Sequence, residues 1–229
     1  MTTSQTAGRP SGPLGWLRRF VAWFLNRLYQ EWAWGYDLVA AVVSLGRWWQ
    51  WQRAADELLS PGRLLEIGHG TGHLLSAYLS EGRSVIGIDR SPQMGRLAAR
   101  RLRAAGLARP LARADAHRLP FADGAFGGVI ATFPSLDLLA DPLAAEVLRV
   151  IRPGGRLAVV MAAWIVGERW LERLARGWFA LSGQSVPPTH WRPSTGQRAG
   201  LPVQWSLVSV ARSKVLVASL RQFDGTDSR

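Results

Sequence analysis

Residues Leu64–Asp89 read LLEIGHGTGHLLSAYLSEGRSVIGID. A short apolar run ends at Ile67, glycines follow at three alternate positions, and leucines and a tyrosine then recur at helical spacing. A second apolar run ends at Asp89. This succession predicts a buried strand, a tight glycine turn, a helix and a second strand, which form the first half of a nucleotide-binding α/β fold. An acid at the tip of the second strand can accept hydrogen bonds from ribose hydroxyls.

The spacing of the glycines distinguishes between classes of nucleotide ligand. A dinucleotide-binding turn has the pattern G-x-G-x-x-G. Gly68 and Gly70 fit this pattern, but His73 occupies the place of its last glycine. Gly72 instead completes the pattern E-x-G-x-G-x-G, counted from Glu66. The turn therefore differs from a dinucleotide fingerprint.

Three further motifs follow in order along the chain. DRSPQM occupies Asp89–Met94, ADAHRLPF occupies Ala114–Phe121, and RPGGRL occupies Arg152–Leu157. Together with the glycine turn, these motifs resemble those of the class I S-adenosylmethionine-dependent methyltransferases, in the branch of the ubiquinone and menaquinone C-methyltransferases. The resemblance covers about residues 36–161. It implies a doubly wound, Rossmann-like α/β fold with a seven-stranded sheet, an antiparallel last strand and an N-terminal helical cap.

The resemblance also implies a cofactor, S-adenosyl-L-methionine, and the residues that would bind it. Asp89 would bind the ribose diol, and Glu66 would help to place the methionine part. Asp115 would accept a hydrogen bond from the adenine amino group, and the Ala116 amide would donate to a ring nitrogen. The implied cofactor-binding residues are Glu66, Gly68, His69, Gly70, Gly72, Asp89, Arg90, Met94, Asp115, Ala116, Thr132 and Phe133.

Three residues of this region allow two interpretations each. His69 stands between glycines and would face the cofactor through its backbone, with a role as catalytic base as the less favoured alternative. Met94 would pack on the adenine or point into the core of its helix. His117 would edge the pocket or lie on a surface loop.

Two residues outside the glycine region are candidates for contact with substrate or for a lid. Tyr36 and Asp37 match a Tyr-Asp pair that implies a lid over the cofactor; the alternative is a core Tyr beside a helix-capping Asp. His190 lies in a stretch rich in Gly, Pro, Ser and Thr, and would touch substrate or lie on the surface. We identify no catalytic base in the sequence.

The N-terminal region is rich in aromatic residues. Residues Trp16–Trp32 have the pattern of an amphipathic helix, with one face of Leu, Phe, Val and Trp and arginines on the other. One interpretation is an interfacial helix whose aromatic residues enter an anionic membrane surface while its arginines contact headgroups. The alternative is a helix docked on the protein core or on a partner chain.

Composition bounds the class of protein. The chain has 229 residues, 48% of them hydrophobic, and it contains no cysteine, so we expect a globular protein without disulfides or thiolate metal sites. The four histidines show no paired metal-binding spacing, so no metal site is expected.

Net charge leaves the class of partner open. The value is +12, and all 28 basic residues but Lys214 are arginine. Such a charge permits binding to phosphates, anionic lipid or acidic partners without choosing among them. An RNA methyltransferase is an alternative that only the charge suggests. Residues Thr132–Ser135 read TFPS rather than the Asn/Asp-Pro-Pro-aromatic tetrad of amino-group DNA methyltransferases, so a DNA-amine substrate is disfavoured. The sequence also contains no recognisable RNA-binding module, so we do not expect a nucleic-acid partner.

Coarse patterning divides the chain into four segments. We expect a disordered tail over residues 1–15, aromatic helices over 16–60, the cofactor-binding core over 61–165, and a variable helix, loop and closing β-hairpin over 166–229. Within the second segment, one helix is expected over residues 36–59.

The sequence departs from the family pattern at the fourth strand. Gly127 follows Phe126 where the family commonly has Asp, which leaves the geometry at the start of this strand open.

The sequence therefore favours an enzyme. We expect an S-adenosylmethionine-dependent methyltransferase acting on a small-molecule or lipophilic acceptor, located in the cytoplasm with association at the membrane surface as an added hypothesis. The acceptor atom and the oligomeric state are left open. The rival from another class is a non-catalytic module that binds the cofactor or a partner as a scaffold.

Overall fold

The computed structural model describes residues 33–134, 136–181, 197–198 and 201–222. The helices α1 to α6 span Ala33–Val43, Trp48–Gln52, His73–Ser80, Pro92–Ala104, Asp141–Arg149 and Trp170–Leu181, and short 3₁₀ helices span Arg53–Leu58 and Leu136–Leu139. The strands β1 to β9 span Leu64–Ile67, Val85–Asp89, Leu111–Arg113, Phe126–Thr132, Ile151–Ile165, Gln197–Arg198, Leu201–Pro202, Gln204–Val210 and Ser213–Arg221.

Seven strands form one sheet in the order β3-β2-β1-β4-β5-β9-β8. The first five of these strands are parallel, and β9, the last strand of the chain, runs antiparallel to both β5 and β8. The predicted fold class is confirmed. Since the strand order reverses between β1 and β4, a crevice opens outside the carboxyl ends of these two strands, where open α/β sheets bind their ligands.

Apolar side chains pack against both faces of the sheet. One cluster includes Val147 and Leu148 of α5 together with Val129 and Val159 from the strands. The other includes Leu75 of α3, with Trp51 of α2 and residues of β5 and β9. The helices therefore cover the sheet on two sides, as the burial of its central parallel strands requires.

The fourth strand starts at Phe126, and Gly127 fits there for a steric reason. A Cβ at Gly127 would overlap the backbone carbonyl of Pro61, which accepts a hydrogen bond of 2.7 Å from the guanidinium of Arg152. The departure from the family pattern at this position thus makes room for the chain that enters β1.

The single helix predicted over residues 36–59 is wrong. Leu45 and Gly46 both have left-handed backbone, with φ values of 51° and 76°, so α1 ends at Val43 and the chain turns before α2. A 3₁₀ helix then replaces the rest of the expected helix. This break places α2 beside the carboxyl edge of the sheet.

Three regions of the sequence analysis lie outside the described residues: the expected tail over residues 1–15, the predicted amphipathic helix Trp16–Trp32 and the stretch around His190. The closing β-hairpin expected within residues 166–229 is present as β8 and β9. None of the helices in the described ranges combines the length and the apolar content needed to cross a bilayer.

Candidate cofactor-binding site

A cavity of about 1060 Å³ opens at the carboxyl edge of the sheet, where the crevice is expected. It is lined by the glycine turn after β1, the end of β2, the loop after β3, the tip of β4 and one face of α2. Of the predicted residues, those that line it are Gly68, His69, Gly70, Asp89, Arg90, Asp115, Ala116, His117, Thr132 and Phe133.

Three of the predicted residues lie outside this lining. Glu66 is buried in β1, Met94 is fully buried in the first turn of α4, and Gly72 packs against Ala98 of the same helix. For Met94, the core interpretation agrees with the structure. The side chain of Tyr36 and the whole of His190 are outside the described part of the chain.

Asp89 holds the glycine turn in place. One carboxylate oxygen accepts a hydrogen bond of 2.9 Å from the amide of Gly70, and the other accepts one of 2.8 Å from the amide of Ser91. The side chain is buried, yet it lines the cavity. Since each carboxylate oxygen can accept more than one hydrogen bond, Asp89 can hold the turn and still accept from a ligand hydroxyl.

The other amides of the glycine turn are also used within the protein. The amides of Gly68 and His69 donate to the carbonyl of Ile88, at 2.8 and 3.1 Å, and the amide of Gly72 donates to the carbonyl of His69. The turn is therefore preformed by its own hydrogen bonds. It presents Cα atoms and carbonyl groups to the cavity more than free donors.

Glu66 lies behind the cavity as a buried carboxyl group. It is 1% exposed, and its Oε2 has no hydrogen-bond partner among the described residues. Burial, and to a lesser extent the charge of Asp89, raise the pKa of Glu66 to about 8. Near neutral pH this group is therefore largely the uncharged acid. Of the three acids that the resemblance assigns to the cofactor, Asp89 and Asp115 line the cavity and Glu66 does not.

Asp115 lies at the rim of the cavity. Its Oδ1 accepts a hydrogen bond of 3.0 Å from the amide of His117 and lies 2.8 Å from Nδ1 of the same residue. Arg90 Nε is 3.8 Å from the other carboxylate oxygen. The two hydrogen bonds from His117 lower the pKa of Asp115, so this exposed acid is held in its ionised form and in one orientation.

His69 is suited to a structural role. Its ring is 4% exposed and its Nδ1 lies 2.8 Å from the carbonyl of Gly70. Burial lowers the pKa of His69, and since a carbonyl oxygen accepts, the neutral ring donates through Nδ1. This contact gives the His69 side chain a role in shaping the turn.

Asp37 ties the N-terminal helix α1 to the glycine turn. Its carboxylate accepts from Thr71 Oγ1 at 2.6 Å and from Arg101 at 2.7 Å, and it lies 2.9 Å from His73 Nε2. Burial opposes its ionisation, but the hydrogen bonds from His73, Thr71 and Arg101 outweigh that effect and lower the pKa of Asp37. Asp37 is therefore a cross-link between elements, which neither of the two interpretations of the Tyr-Asp pair described.

The part of the cavity away from Asp89 is aromatic. Trp48 of α2 stacks on Phe133, with ring centroids 4.4 Å apart and an angle of 27° between the ring planes. Gln52, one turn further along α2, donates to Thr132 Oγ1 at 3.3 Å. We call Trp48, Gln52, Thr132 and Phe133 the aromatic part, and the glycine turn with Asp89 and Asp115 the cofactor part.

Sequence reasoning missed the contribution of α2 to this site. Trp48 and Gln52 belong to the run WWQWQ, which has the aromatic density noted in the N-terminal region but no motif spacing. Phe133 has a left-handed backbone, with φ of 49°, that turns its ring toward Trp48. A bulky residue held in such a conformation is strained, and such residues cluster at functional sites.

Comparisons with known proteins agree with this geometry. Residues 64–155 match a family model described as a methyltransferase domain. The chain is 37% identical over 140 residues to a demethylmenaquinone methyltransferase of Thermus thermophilus, covering 58% of this chain and 63% of the relative. It is 40% identical over 129 residues to one of Beutenbergia cavernae, covering 54% of this chain and 52% of the relative. The chain thus spans about half to two thirds of the length of these relatives.

A solved structure shows the same fold. Phosphoethanolamine N-methyltransferase 2 of Haemonchus contortus, in complex with S-adenosyl-L-methionine, is similar with a TM-score of 0.53 over 77% of this chain and 53% of that chain. The sequence identity is 16%, so this likeness concerns the fold alone.

Proposed function

We propose that this chain is a class I S-adenosylmethionine-dependent methyltransferase that transfers the methyl group of the cofactor to a lipophilic small-molecule acceptor. The match of residues 64–155 to a methyltransferase-domain model and the similarity to demethylmenaquinone methyltransferases support this proposal. The observation that carries the proposal is the division of one cavity into a cofactor part and an aromatic part. Each part suits a different ligand, and the two parts adjoin within one space, as a transfer between two bound molecules requires.

The cofactor part fits a positively charged nucleoside. Asp89 and Asp115 offer carboxylate oxygens to hydroxyl and amino donors. Gly70 has no heavy atom within 4 Å of the place where a Cβ would stand, so the turn leaves room for a ligand beside it. When bound, S-adenosylmethionine supplies a methyl group that its sulfonium already activates.

The aromatic part fits a planar, apolar acceptor. The stacked rings of Trp48 and Phe133 form one wall, and Leu138 and Leu143 contribute further apolar surface. A flat ring system packs well against such a wall in an offset arrangement. Gln52 and Thr132 add the few polar groups that orient a ligand in an apolar pocket.

We assign catalysis mainly to positioning. Holding the acceptor atom in line with the sulfonium–methyl bond can supply much of the rate acceleration, because the reaction becomes effectively unimolecular. The rigid glycine turn and the stacked aromatic wall are the parts of this chain that would fix the two reactants. The preformed hydrogen bonds of the turn reduce the reorganisation that binding needs.

The names of the relatives suggest the acceptor class to test first. Both relatives are demethylmenaquinone methyltransferases, and a reduced quinone is an electron-rich aromatic ring that matches the aromatic part. Purified protein should be incubated with methyl-labelled cofactor and a short-chain demethylmenaquinone, reduced and dispersed in detergent. We expect label in the organic extract and a mass increase of one methylene in the quinone, and much less of both with Asp89→Ala at a cofactor concentration that does not saturate the variant.

A screen of acceptor classes separates this proposal from its rivals. Label transferred from the cofactor to a total lipid extract, but not to the quinone, would keep the lipophilic acceptor and reject the quinone. Label in RNA, weakening with rising salt, would favour the RNA methyltransferase alternative. Calorimetric binding of the cofactor with no labelled product in any fraction would favour the scaffold.

A further inference from the structure

The helix α6 is attached to the body of the protein through its polar side. Glu172 is 2% exposed and forms an ion pair with Arg47, which lies in the turn just before α2. The other oxygen of the same carboxylate accepts a hydrogen bond of 2.9 Å from the amide of Arg169, which precedes the helix. A Cβ at Gly167 would overlap this carboxylate, so the chain before the helix closes over Glu172. These contacts fix the rotation of α6 about its axis.

With Glu172 facing inward, the apolar side of α6 faces away from the protein. Trp170 and Leu174 are each 64% exposed, and Leu171 is 47% exposed. At about 100° per residue these three side chains lie within one arc of the helix surface, and Glu172 lies on the opposite side. Most amphipathic helices of globular proteins have the reverse orientation. The exposed face therefore indicates a surface that meets an apolar phase.

We propose that α6 lies on an anionic membrane surface and inserts Trp170, Leu171 and Leu174 below the headgroups. Charge favours this partner. Arg169 and Arg173 are exposed beside the apolar arc, and the whole chain carries a net charge of +12. An apolar face flanked by arginines is the pattern of helices that bind in the plane of a membrane interface. Anionic lipid attracts each such cation when it lies near the surface.

The position of α6 gives this surface a connection to the cavity. The helix follows β5 at the carboxyl edge of the sheet, and its Ala175 packs against the same apolar cluster as Trp48 and Phe133. Its anchor, Arg47, immediately precedes Trp48. A bilayer that contacts α6 would thus lie beside the aromatic part. The proposal concerns binding to lipid and does not depend on the acceptor.

The test is sedimentation of the full chain with vesicles of phosphatidylcholine alone or mixed with phosphatidylglycerol, in the absence of cofactor and acceptor. We expect pelleting with the anionic vesicles that weakens in high salt. The double variant Trp170→Ser/Leu174→Ser should lower the partition coefficient between membrane and water at least ~10-fold. The reason is that it removes the two large apolar side chains whose transfer from water into the membrane favours binding. The variant Arg169→Gln/Arg173→Gln should lower it roughly 25-fold at low salt, at about 5-fold for each charge.

Two matched controls test whether the effect is local. Leu207→Ser removes an exposed apolar side chain from β8, and Arg96→Gln/Arg103→Gln removes two exposed charges from α4. The first should leave binding unchanged and the second should weaken it less than the α6 charge variant does. Circular dichroism and thermal unfolding should show that all variants fold, since every substituted side chain is exposed.

Three results would overturn the proposal. The first is unchanged pelleting of Trp170→Ser/Leu174→Ser. The second is loss of pelleting in Phe20→Ser/Phe24→Ser while the α6 variants pellet as the wild type does, which would assign lipid binding to the predicted N-terminal helix instead. The third is absence of wild-type pelleting together with a dimer that the α6 apolar variant converts to a monomer, which would assign the face to a second copy of the chain.

Discussion

The two parts of the cavity are built in different ways. The cofactor part comes from consecutive motifs whose geometry is held by backbone hydrogen bonds, with Asp89 buried at its centre. The aromatic part comes from side chains of α2 and the tip of β4, about eighty residues apart in the chain. We infer that changes in the glycine turn or at Asp89 alter stability and cofactor binding together. Changes in the aromatic part should alter the acceptor and leave the cofactor part intact.

The largest expected effect concerns Glu66, behind the cofactor part. Its folded-state pKa of about 8 lies above its ordinary value, so the native protein holds a proton that the unfolded chain releases above about pH 4.5. The stability is therefore full below pH 4.5 and is lost as the pH rises through 8. We expect the free energy of unfolding to fall by about 3 kcal/mol between pH 5 and pH 8, and we expect this fall to be absent in Glu66→Gln.

Urea unfolding at pH 5, 6, 7 and 8 measures this dependence. The exposed Glu57→Gln is the control and should keep the slope of the wild type. If Glu66→Gln has the same pH slope as the wild type, another group releases the proton. The carboxyl group of Glu66 would then not be the source of the pH dependence.

The next effect concerns the two carboxylates that line the cofactor part. Asp89→Ala leaves the amides of Gly70 and Ser91 without their acceptor, so we expect a loss of about 3 kcal/mol in stability. Cofactor affinity should also fall, by about 1.5–3 kcal/mol for a lost charge-assisted hydrogen bond. Asp115→Ala should cause a similar loss of affinity with little change in stability, because Asp115 is exposed at the rim.

Calorimetric titration of the cofactor, combined with thermal unfolding, separates these two outcomes. An Asp115→Ala protein that binds the cofactor normally would remove Asp115 from the site. An Asp89→Ala protein of unchanged stability would show that the glycine turn does not depend on this carboxylate, and the contrast between the two parts of the cavity would lose its basis.

The sequence predicts most of the cofactor part because its information is local. Three alternate glycines and a strand-end acid dictate a turn that adjacent hydrogen bonds complete. The aromatic part depends on contacts between residues that are far apart in the sequence, so no local motif predicts it. Leu45 and Gly46 break the expected helix, and this break brings Trp48 to Phe133. Likewise, the reason for Gly127 is the carbonyl of Pro61, which only the folded chain places beside it.

A smaller effect is expected at Gly72, where the glycine turn packs against α4. A Cβ there would come within 2.8 Å of the Ala98 Cβ, at a φ of 78° that other residues rarely adopt. We expect Gly72→Ala to destabilise the protein by about 2–3 kcal/mol, from overpacking together with backbone strain.

The matched control for Gly72→Ala is Gly82→Ala. Gly82 has a similar φ of 74°, with nothing within 4 Å of its added Cβ, so this change should cost about 1 kcal/mol from strain alone. Equal losses for the two variants in urea unfolding would mean that α4 moves freely away from the turn, and that the turn is not held by packing.

The smallest effect is expected in the aromatic part, at the hydrogen bond from Gln52 to Thr132. This bond is 3.3 Å long, and the Oε1 of Gln52 is buried without a partner among the described residues, so the amide contributes little net stability. Gln52→Met keeps the length of the side chain, and Thr132→Val keeps the shape of the other. A double-mutant cycle in urea should give a coupling energy of about 1 kcal/mol or less, because neighbouring groups that share one hydrogen bond couple weakly.

The same variants should bind the cofactor as the wild type does in calorimetric titration, since Asp89 and the glycine turn are untouched. A tenfold loss of cofactor affinity in either variant would show that the two parts of the cavity are coupled, and that the acceptor wall also positions the cofactor.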